Sequence, residues 1–416
     1  MLKNYLKITF AVMRRRKFYT FISLFGISLT LTVLLVITAF FDNLFAPNYP
    51  EINRERMLYA SKIEQRDTAH GNTSMSPMSR YFIEQFIMTL KTPERVSAVG
   101  NRNLNTYFNN QKAELRIKYT DVNFWEMMGF EFLEGKAFTD ATIKGNDNAI
   151  IISSDLRDKY FGKDVPVVGK TTELGNDLFH IVGVVRGCSQ IQGHFVVGDM
   201  YMPYTSDKSL GKDKVYNGSY DALILAKSEE DLAAIQEEFA AVLPKIPRLK
   251  EGNFTPQFIY VKPETSINSF IYDITGKGEE SGKALFITVL TCFVLLFMSL
   301  PALNLVNINI SRIMERASEI GIRKAFGASS STLTVQFIVE NIILSIIGGI
   351  LALIFSALLI AFINRVGIGN AEYLTLKINW TVAIMAFILS LIFGLLSGVY
   401  PAWRMAKLSV VNALKA

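Results

Sequence analysis

The sequence predicts a multi-pass α-helical membrane protein: four transmembrane helices and a large α+β extracytoplasmic domain. Half of the 416 residues are hydrophobic and only 19% are charged, which excludes a disordered chain and favours membrane spans over a wholly soluble enzyme. The apolar residues are concentrated in four runs, each long enough for the roughly 20 residues that a membrane helix needs. With two cysteines, the chain is not a small disulfide-linked scaffold.

The N-terminal end contains a basic segment followed by the first apolar run. Residues 1–17 place their apolar side chains on one helical face, which predicts an amphipathic helix lying in the headgroup plane on the cytosolic side. Residues 18–41 carry no charge and form the first predicted span. This run is too long for the core of a signal peptide, so we expect an uncleaved anchor.

Three further spans are predicted at residues 284–310, 333–363 and 380–402, with a short outer loop at 364–379. Asn304 and Asn307 would be costly in lipid, so we expect them to face another helix. Gly394 and Gly398 form a GxxxG pattern that favours close helix packing, and residues 345–349 form a similar small-residue pattern. Glu340 is the one charge inside a span, and we interpret it as a hydrogen-bonded interface residue rather than a proton carrier.

Lysine and arginine residues near the span ends predict the orientation of the chain. Residues 1–17 carry six basic and no acidic residues, the loop 311–332 carries four basic and two acidic, and the tail 403–416 carries three basic and none acidic. These three pieces are therefore predicted to be cytosolic, and residues 42–283 to be outside. The net charge of +6 is then a signal of topology, and it points to no nucleic-acid partner.

The outer segment 42–283 mixes both kinds of periodicity, as an α+β domain does. Strands are predicted at residues 114–120, 148–153, 179–186, 220–226 and 257–261, and helices at 79–90, 154–160 and 229–243. His180 alternates with the apolar residues of a strand, which favours a strand position over a metal ligand. Because no nucleophile–base set, metal-ligand cluster or phosphate-binding loop is found in the sequence, we predict no catalytic residues, no metal and no cofactor bound by this chain.

The cytosolic loop 311–332 is the most informative short segment. Its apolar residues recur at helical spacing, and Glu319 can pair with Arg323 four residues later. The predicted helix ends near Gly327, since glycine is the residue most often found just after a helix C-terminus. Since this helix is tethered between two spans with little slack, a force applied to it would move those spans.

Several ordered motifs resemble those of the MacB/FtsX superfamily of ABC transporter permeases. The loop ERASEIGIRKAFGAS and the following helix TVQFIVENIILSIIGG are similar to the permease signature of that family. The last residues, YPAWRMAKLSVVNALKA, resemble its closing motif, although Ser409 or Val410 stands where the family pattern has a proline. In the outer segment, residues 122–138, 148–171, 179–187 and 200–204 resemble the MacB-like periplasmic core domain.

The resemblance implies a four-span permease that dimerises, as a homodimer or a heterodimer, in a bacterial inner membrane. It implies a porter-like outer lobe with a second lobe inserted near residues 121–205. It also implies a separate cytosolic ABC ATPase that binds ATP and Mg, with no ATPase domain fused to this chain. The loop helix would be the coupling helix seated in that ATPase, with these contacts from the motif match: Glu315, Arg316, Glu319, Ile320, Arg323 and Lys324.

Three functions remain open at this point. The first is a permease subunit for export or efflux of an antimicrobial, a peptide or a lipid-linked substrate, driven by mechanotransmission, with a periplasmic adaptor and an outer-membrane channel as candidate further partners. The second is an FtsX-like regulator that activates a cell-wall hydrolase. The third is a membrane receptor without an ATPase. The large outer domain favours the first, and the coupling signature disfavours the third.

Overall fold

The chain folds as two compact units, which are described separately. The helical unit comprises residues 1–43, 283–366 and 375–416, and the α+β unit comprises residues 44–282 and 367–374. The computed structural model describes residues 2–15, 17–108, 111–145, 148–174, 177–188, 195–208, 214–249, 254–275, 281–296, 299, 330–366, 376–389, 391–392 and 395.

The described helices belong to both units. In chain order they are α1 (Leu2–Arg15), α2 (Lys17–Phe45), α3 (Arg80–Phe82, continued by a wide turn at Ile83–Ile87), α4 (Val122–Met127), α5 (Asp140–Lys144), α6 (Ser154–Phe161), α7 (Asp231–Val242), α8 (Ser266–Thr275), α9 (Ser281–Leu296), α10 (Ser330–Val366) and α11 (Trp380–Leu389).

Two helices of the described part are long and apolar enough to cross a membrane. They are Lys17–Phe45, which is α2, and Ile338–Val366, which is most of α10. The shorter helices α9 and α11 are also apolar, but they are described only up to Leu296 and Leu389. Four spans therefore remain a prediction, and the structure carries two of them at full length.

The strands all lie in the α+β unit. They are β1 (Met57–Ala60), β2 (Ile63–Asp67), β3 (Asn72–Ser76), β4 (Arg95–Phe108), β5 (Gln111–Thr120), β6 (Phe132–Gly135), β7 (Ala149–Ser153), β8 (Thr171–Leu174), β9 (Asp177–Val185), β10 (Met200–Pro203), β11 (Tyr220–Leu225) and β12 (Phe258–Tyr260).

These strands form a large mixed sheet and a small one. The large sheet has the order β1-β11-β4-β5-β10-β7-β9-β6, with β8 pairing to β4 and β9, and the small sheet has the order β12-β2-β3. The long β4–β5 hairpin is antiparallel and stands at the centre. The strands between residues 121 and 205 continue this same sheet beyond β5, because β10 pairs with β5 in parallel. The division into two lobes near residues 121–205 stays a prediction.

Each predicted strand and helix of the outer segment is present. The predicted strands correspond to β5, β7, β9, β11 and β12. The predicted helices correspond to α3 with the π-helical turn that follows it, α6 and α7. Local chemistry fixes where several helices begin. The side chains of Ser79, Asp121 and Ser153 accept hydrogen bonds from backbone N–H groups three residues later, which caps α3, α4 and α6.

The large sheet is covered by apolar side chains on both faces. One cluster joins Phe82, Phe108 and Tyr216 with the alternate residues of β5 and β7. The opposite cluster is aromatic, with Trp125 packed edge-on against Tyr201 at 5.3 Å between ring centroids. At roughly 25 cal/mol per Å² of buried apolar surface, these two clusters are the main source of the unit's stability. Both clusters include residues of the central strand β4, with Val96 and Ala98 on one face and Val99 on the other.

Candidate functional site

The residues that the sequence singled out for function lie outside the described part of the chain. This holds for the coupling residues Glu315, Arg316, Glu319, Ile320, Arg323 and Lys324, and for the helix-packing residues Asn304, Asn307, Gly394 and Gly398. Their roles stay predictions. Among the described residues two features stand out: the helix packing inside the helical unit, and a buried ion pair at the end of α2.

Helices α2 and α10 pack closely within the helical unit. A Cβ atom added to Gly348 would lie 2.7 Å from Ile27 Cγ2, so only glycine lets the two helices approach this closely. One turn further along both helices, the Thr32 hydroxyl, which donates to the Ser28 carbonyl of its own helix at 2.7 Å, also lies 3.3 Å from the Ala352 carbonyl. Ile27 thus lies against Gly348, and Thr32, further along α2, lies against Ala352, further along α10. Because the contacts advance in the same direction on both helices, α2 and α10 run parallel.

A third helix, α11, packs against the same surface in the opposite direction. A Cβ atom on Gly349 would lie 2.5 Å from Phe387 Cδ2, and Ala383 and Ala386 join the buried cluster formed with α2. At the start of α11, Asn379 donates to Asp42 near the end of α2 at 2.9 Å. The ends of α2 and α10 and the start of α11 therefore lie on one side, as expected for spans one, three and four of an alternating bundle.

Small and polar residues follow the buried face of α10. Gln336, Glu340, Asn341, Ser345 and Ser356 are all buried, whereas the opposite face of the helix is apolar and exposed. The side-chain oxygens of Asn341 and Ser345 have no hydrogen-bond partner among the described residues. Burial of Glu340 agrees with its interpretation as an interface residue, because a lipid-facing carboxylate would be costly. The sequence pattern at residues 345–349 therefore marks a real packing surface.

The second feature is an ion pair buried where α2 ends. The guanidinium of Arg54 contacts the carboxylate of Glu51, with Nε donating to Oε2 at 2.7 Å, and both side chains are at most 5% exposed. Arg54 Nη1 also donates to the carbonyl of Leu44 at 2.6 Å. Leu44 belongs to the last turn of α2, where carbonyl groups lack helical partners and a cation is favoured. Arg54 thereby fixes the end of α2 to the segment that leads into β1.

Burial and the adjacent positive charge have opposite effects on the pKa of Glu51 in this pair. Burial raises the pKa of the Glu51 carboxyl, and the adjacent Arg54 opposes that rise. Burial also raises the pKa of Tyr59 well above its ordinary value, on the neighbouring strand β1. Phe45, the last residue of α2, packs edge-on against Phe270 of α8 at 5.1 Å between ring centroids. The end of α2 is thus held by an ionic contact and an aromatic contact within the α+β unit.

The histidine and cysteine residues considered in the sequence show no arrangement typical of a metal site or a disulfide among the described residues. His180 is exposed on β9, and its Nδ1 lies 3.2 Å from the hydroxyl of Thr171. Cys188 and Cys292 are free thiols, and burial raises the pKa of Cys188 to about 12. Within the described residues, no group of three or more His, Cys, Asp or Glu side chains could hold a metal ion.

Two family profiles match this chain in succession. The profile of the MacB-like periplasmic core domain matches residues 20–242, more than half of the chain. The profile of the FtsX-like permease C-terminal region matches residues 291–410. The chain belongs to the MacB/FtsX family of ABC transporter permeases. As a member of that family it is a transmembrane permease component, and its α+β unit is of the periplasmic type.

Relatives with curated names agree with this family. The macrolide export ATP-binding/permease protein MacB of Acinetobacter baylyi is 25% identical over 321 residues, which cover 77% of this chain and 45% of that protein. MacB of Escherichia coli K12 is 24% identical over 335 residues, which cover 80% of this chain and 48% of that protein. This chain spans about half the length of these MacB relatives.

A solved structure also aligns with this chain. The extracellular domain of the noncanonic ABC-type transporter YknZ from Gram-positive bacteria aligns with a TM-score of 0.38 and 15% identity, over 49% of this chain and 98% of that domain.

Proposed function

We propose that this permease couples ATP hydrolysis by a separate cytosolic ABC ATPase to movement of its extracytoplasmic domain, and that this movement drives export of an antimicrobial, a peptide or a lipid-linked substrate. Two permease chains would form the working dimer, with the ATP and Mg bound by the ATPase. The termini and the loop 311–332 are cytosolic in this proposal, and residues 42–283 are periplasmic.

The observation that carries the proposal is the unbroken path from α2 into the α+β unit. Helix α2 runs without interruption from Lys17 to Phe45, and Arg54 holds its last turn through the carbonyl of Leu44. At its middle, α2 is in contact with α10 through Ile27 and Gly348. Since α10 begins at Ser330, within the last residues of the predicted coupling loop, a push on that loop would displace α10, then α2, and then the segment that enters β1.

In the competing hypothesis, the chain is an FtsX-like regulator that uses the same mechanics to activate a cell-wall hydrolase. The extent of the outer domain favours export, because the match to the MacB-like periplasmic core domain covers residues 20–242. The two functions differ in their periplasmic partner. A hydrolase that copurifies with this chain and is activated by ATP would identify the regulator, whereas ATP-dependent loss of a compound from cells would identify the exporter.

The coupling-helix prediction is tested by charge reversal. We expect Glu319→Lys together with Arg323→Glu to abolish copurification of the partner ABC ATPase, because both charges would then oppose their partners in the cleft. The matched control is Lys415→Glu, which also alters a predicted cytosolic charge but lies outside the coupling motif. Undiminished ATPase binding and normal ATP turnover by the double variant would refute the coupling-helix assignment.

A further inference from the structure

Helix α1 does not continue the axis of α2, although only one residue separates the two helices. The hydroxyl of Thr20 donates to the carbonyl of Met13 at 3.3 Å, across seven residues of the chain. Seven residues of a straight helix rise about 10 Å, so this contact requires a bend between α1 and α2. Helix α1 instead lies against α10, and its Thr9 is buried. The two helices therefore form a corner at the start of the first span.

The outer side of this corner is basic. Arg14, Arg15 and Lys17, here called the basic corner, are all exposed, as is Lys7 two turns earlier on α1. The first 41 residues of the sequence contain no acidic residue. None of the ion pairs formed among the described residues involves any of these four side chains. The basic corner is thus a concentration of positive charge that is open to a ligand.

The first turns of α2 expose a row of phenylalanine side chains next to the basic corner. Phe18, Phe21 and Phe25, here called the aromatic row, are spaced three and four residues apart and so lie on one helical face. Each is at least 52% exposed, and the rings of Phe21 and Phe25 stack at 5.8 Å between centroids. Ile27 and Leu31 belong to the other side of α2, in the buried cluster shared with α10 and α11. The aromatic row therefore faces away from these helices, as a lipid-facing surface does.

The two surfaces together are complementary to a phospholipid. All members of the basic corner lie within four residues of Phe18, so cationic groups stand directly above the first ring of the aromatic row. Arginine matches the geometry of a phosphate group, and basic residues beside a span attract anionic headgroups. An acidic protein surface could satisfy the cations, but it would not cover a row of rings that descends into the acyl layer along a span.

We propose that this corner is a binding site for an anionic phospholipid of the bilayer. The basic corner holds the phosphate, and one acyl chain lies along the aromatic row. This site goes beyond the proposed export function, because the lipid is a bound partner of the helices and its binding requires neither ATP nor an ATPase. Since α1 lies against α10, the bound lipid would also brace the helix that follows the predicted coupling loop.

The test measures which lipid is in contact with the aromatic row. The full chain carries the reporter Phe21→Trp, which keeps a ring in the row, together with Trp380→Phe and Trp403→Phe, while Trp125 is buried in the α+β unit. The protein is placed in phosphatidylcholine nanodiscs that contain a small fraction of dibrominated lipid, which quenches tryptophan on contact. We expect dibrominated phosphatidylglycerol to quench the reporter about 3-fold or more as effectively as dibrominated phosphatidylcholine at equal mole fraction, because the basic corner enriches the anionic lipid.

A second reporter position tests whether the preference is local. Leu358→Trp, in the same background, places the ring on an exposed position of α10 near the opposite end of the parallel helix. We expect the two dibrominated lipids to quench this reporter equally. Equal quenching at Phe21→Trp, or the same preference for phosphatidylglycerol at both positions, would overturn the proposal.

Charge variants assign the preference to the basic corner. Arg14→Gln/Arg15→Gln/Lys17→Gln should remove the preference for phosphatidylglycerol, and the charge-conserving Arg14→Lys/Arg15→Lys should retain most of it. The matched control removes three basic residues from the C-terminal tail, Arg404→Gln/Lys407→Gln/Lys415→Gln, and should leave the preference intact.

The unfolding midpoint of each purified variant shows whether it is folded, and the single variant Arg14→Gln, which should lower the preference in part, replaces the triple variant if that does not fold. An unchanged preference in these corner variants, or an equal loss in the tail control, would refute the site. Loss of ATPase copurification in the corner variants without any lipid preference in the parent chain would assign the basic corner to the ATPase instead.

Discussion

At the residue scale, the pair of Glu51 and Arg54 is the contact that sequence reasoning missed. The two residues lie three positions apart in a short segment after the first span, where alternating charges usually mark a solvated loop. Nothing in their spacing indicates that both side chains are buried. Burial here arises because Arg54 reaches back to the carbonyl of Leu44 and Glu51 lies beside Tyr59 of β1, contacts that the local pattern does not display.

The ion pair makes a strong prediction for stability. Glu51→Gln leaves the guanidinium of Arg54 buried without a counter-charge, and loss of one partner of a buried pair typically costs about 3–5 kcal/mol. We expect a clearly lower unfolding midpoint of the purified chain in detergent. Glu55→Gln is the matched control, since Glu55 is exposed in the same turn. An unchanged midpoint for Glu51→Gln would show that the pair does not hold the end of α2.

The proximity of Lys118 and Asp221, which Asn101 links by hydrogen bonds, could not be predicted either, although both lie on predicted strands. Asp221 is the one charged residue in the otherwise apolar strand β11, whereas Lys118 continues the regular polar alternation of β5. Their meeting depends on the order β11-β4-β5, and pairing between distant segments is not encoded in the local pattern. Polar interruptions of buried strands are therefore the signal that sequence analysis could have used here.

At the element scale, hydrophobic periodicity correctly predicted which segments of the outer domain form strands and which form helices. Strands such as β7, with five buried residues in succession, and helices with a capping serine such as α6 follow directly from residue types. The 14-residue strand β4 was not predicted, because its second half alternates polar residues in a hairpin tip without a hydrophobic face. Elements without strong apolar alternation depend on their pairing partners, which a single sequence does not display.

The packing of α2 on α10 can be tested through Gly348. In Gly348→Ala the new methyl group would meet Ile27, and overpacking of this kind costs about 1–3 kcal/mol. We expect a lower unfolding midpoint, with partial recovery in the double variant Gly348→Ala/Ile27→Ala, which removes the obstructing side chain. Ala357→Val is the control, because it adds volume at an exposed position of α10. Equal effects of Gly348→Ala and the control would contradict this packing.

At the scale of the whole molecule, the distribution of charge separates the chain into regions with different surroundings. The three predicted cytosolic pieces carry 13 basic and 2 acidic residues, whereas residues 42–283 carry more acidic than basic residues. The structure adds the relative direction of the helices, since α2 and α10 run parallel and α11 returns. A side of the membrane cannot be assigned from helix directions alone, and the basic residues supply that assignment.

The topology follows as a prediction that a cysteine-labelling experiment can decide. In a Cys292→Ser background, Cys188 reacts slowly with maleimides, because burial raises its pKa to about 12 and leaves little thiolate. Lys227→Cys places an exposed thiol in the α+β unit, and Lys415→Cys places one in the C-terminal tail. We expect a membrane-impermeant maleimide to label Lys227→Cys only in right-side-out vesicles and Lys415→Cys only in inside-out vesicles. The reverse pattern would place the α+β unit in the cytosol, where the proposed coupling to an ATPase through residues 311–332 could not operate.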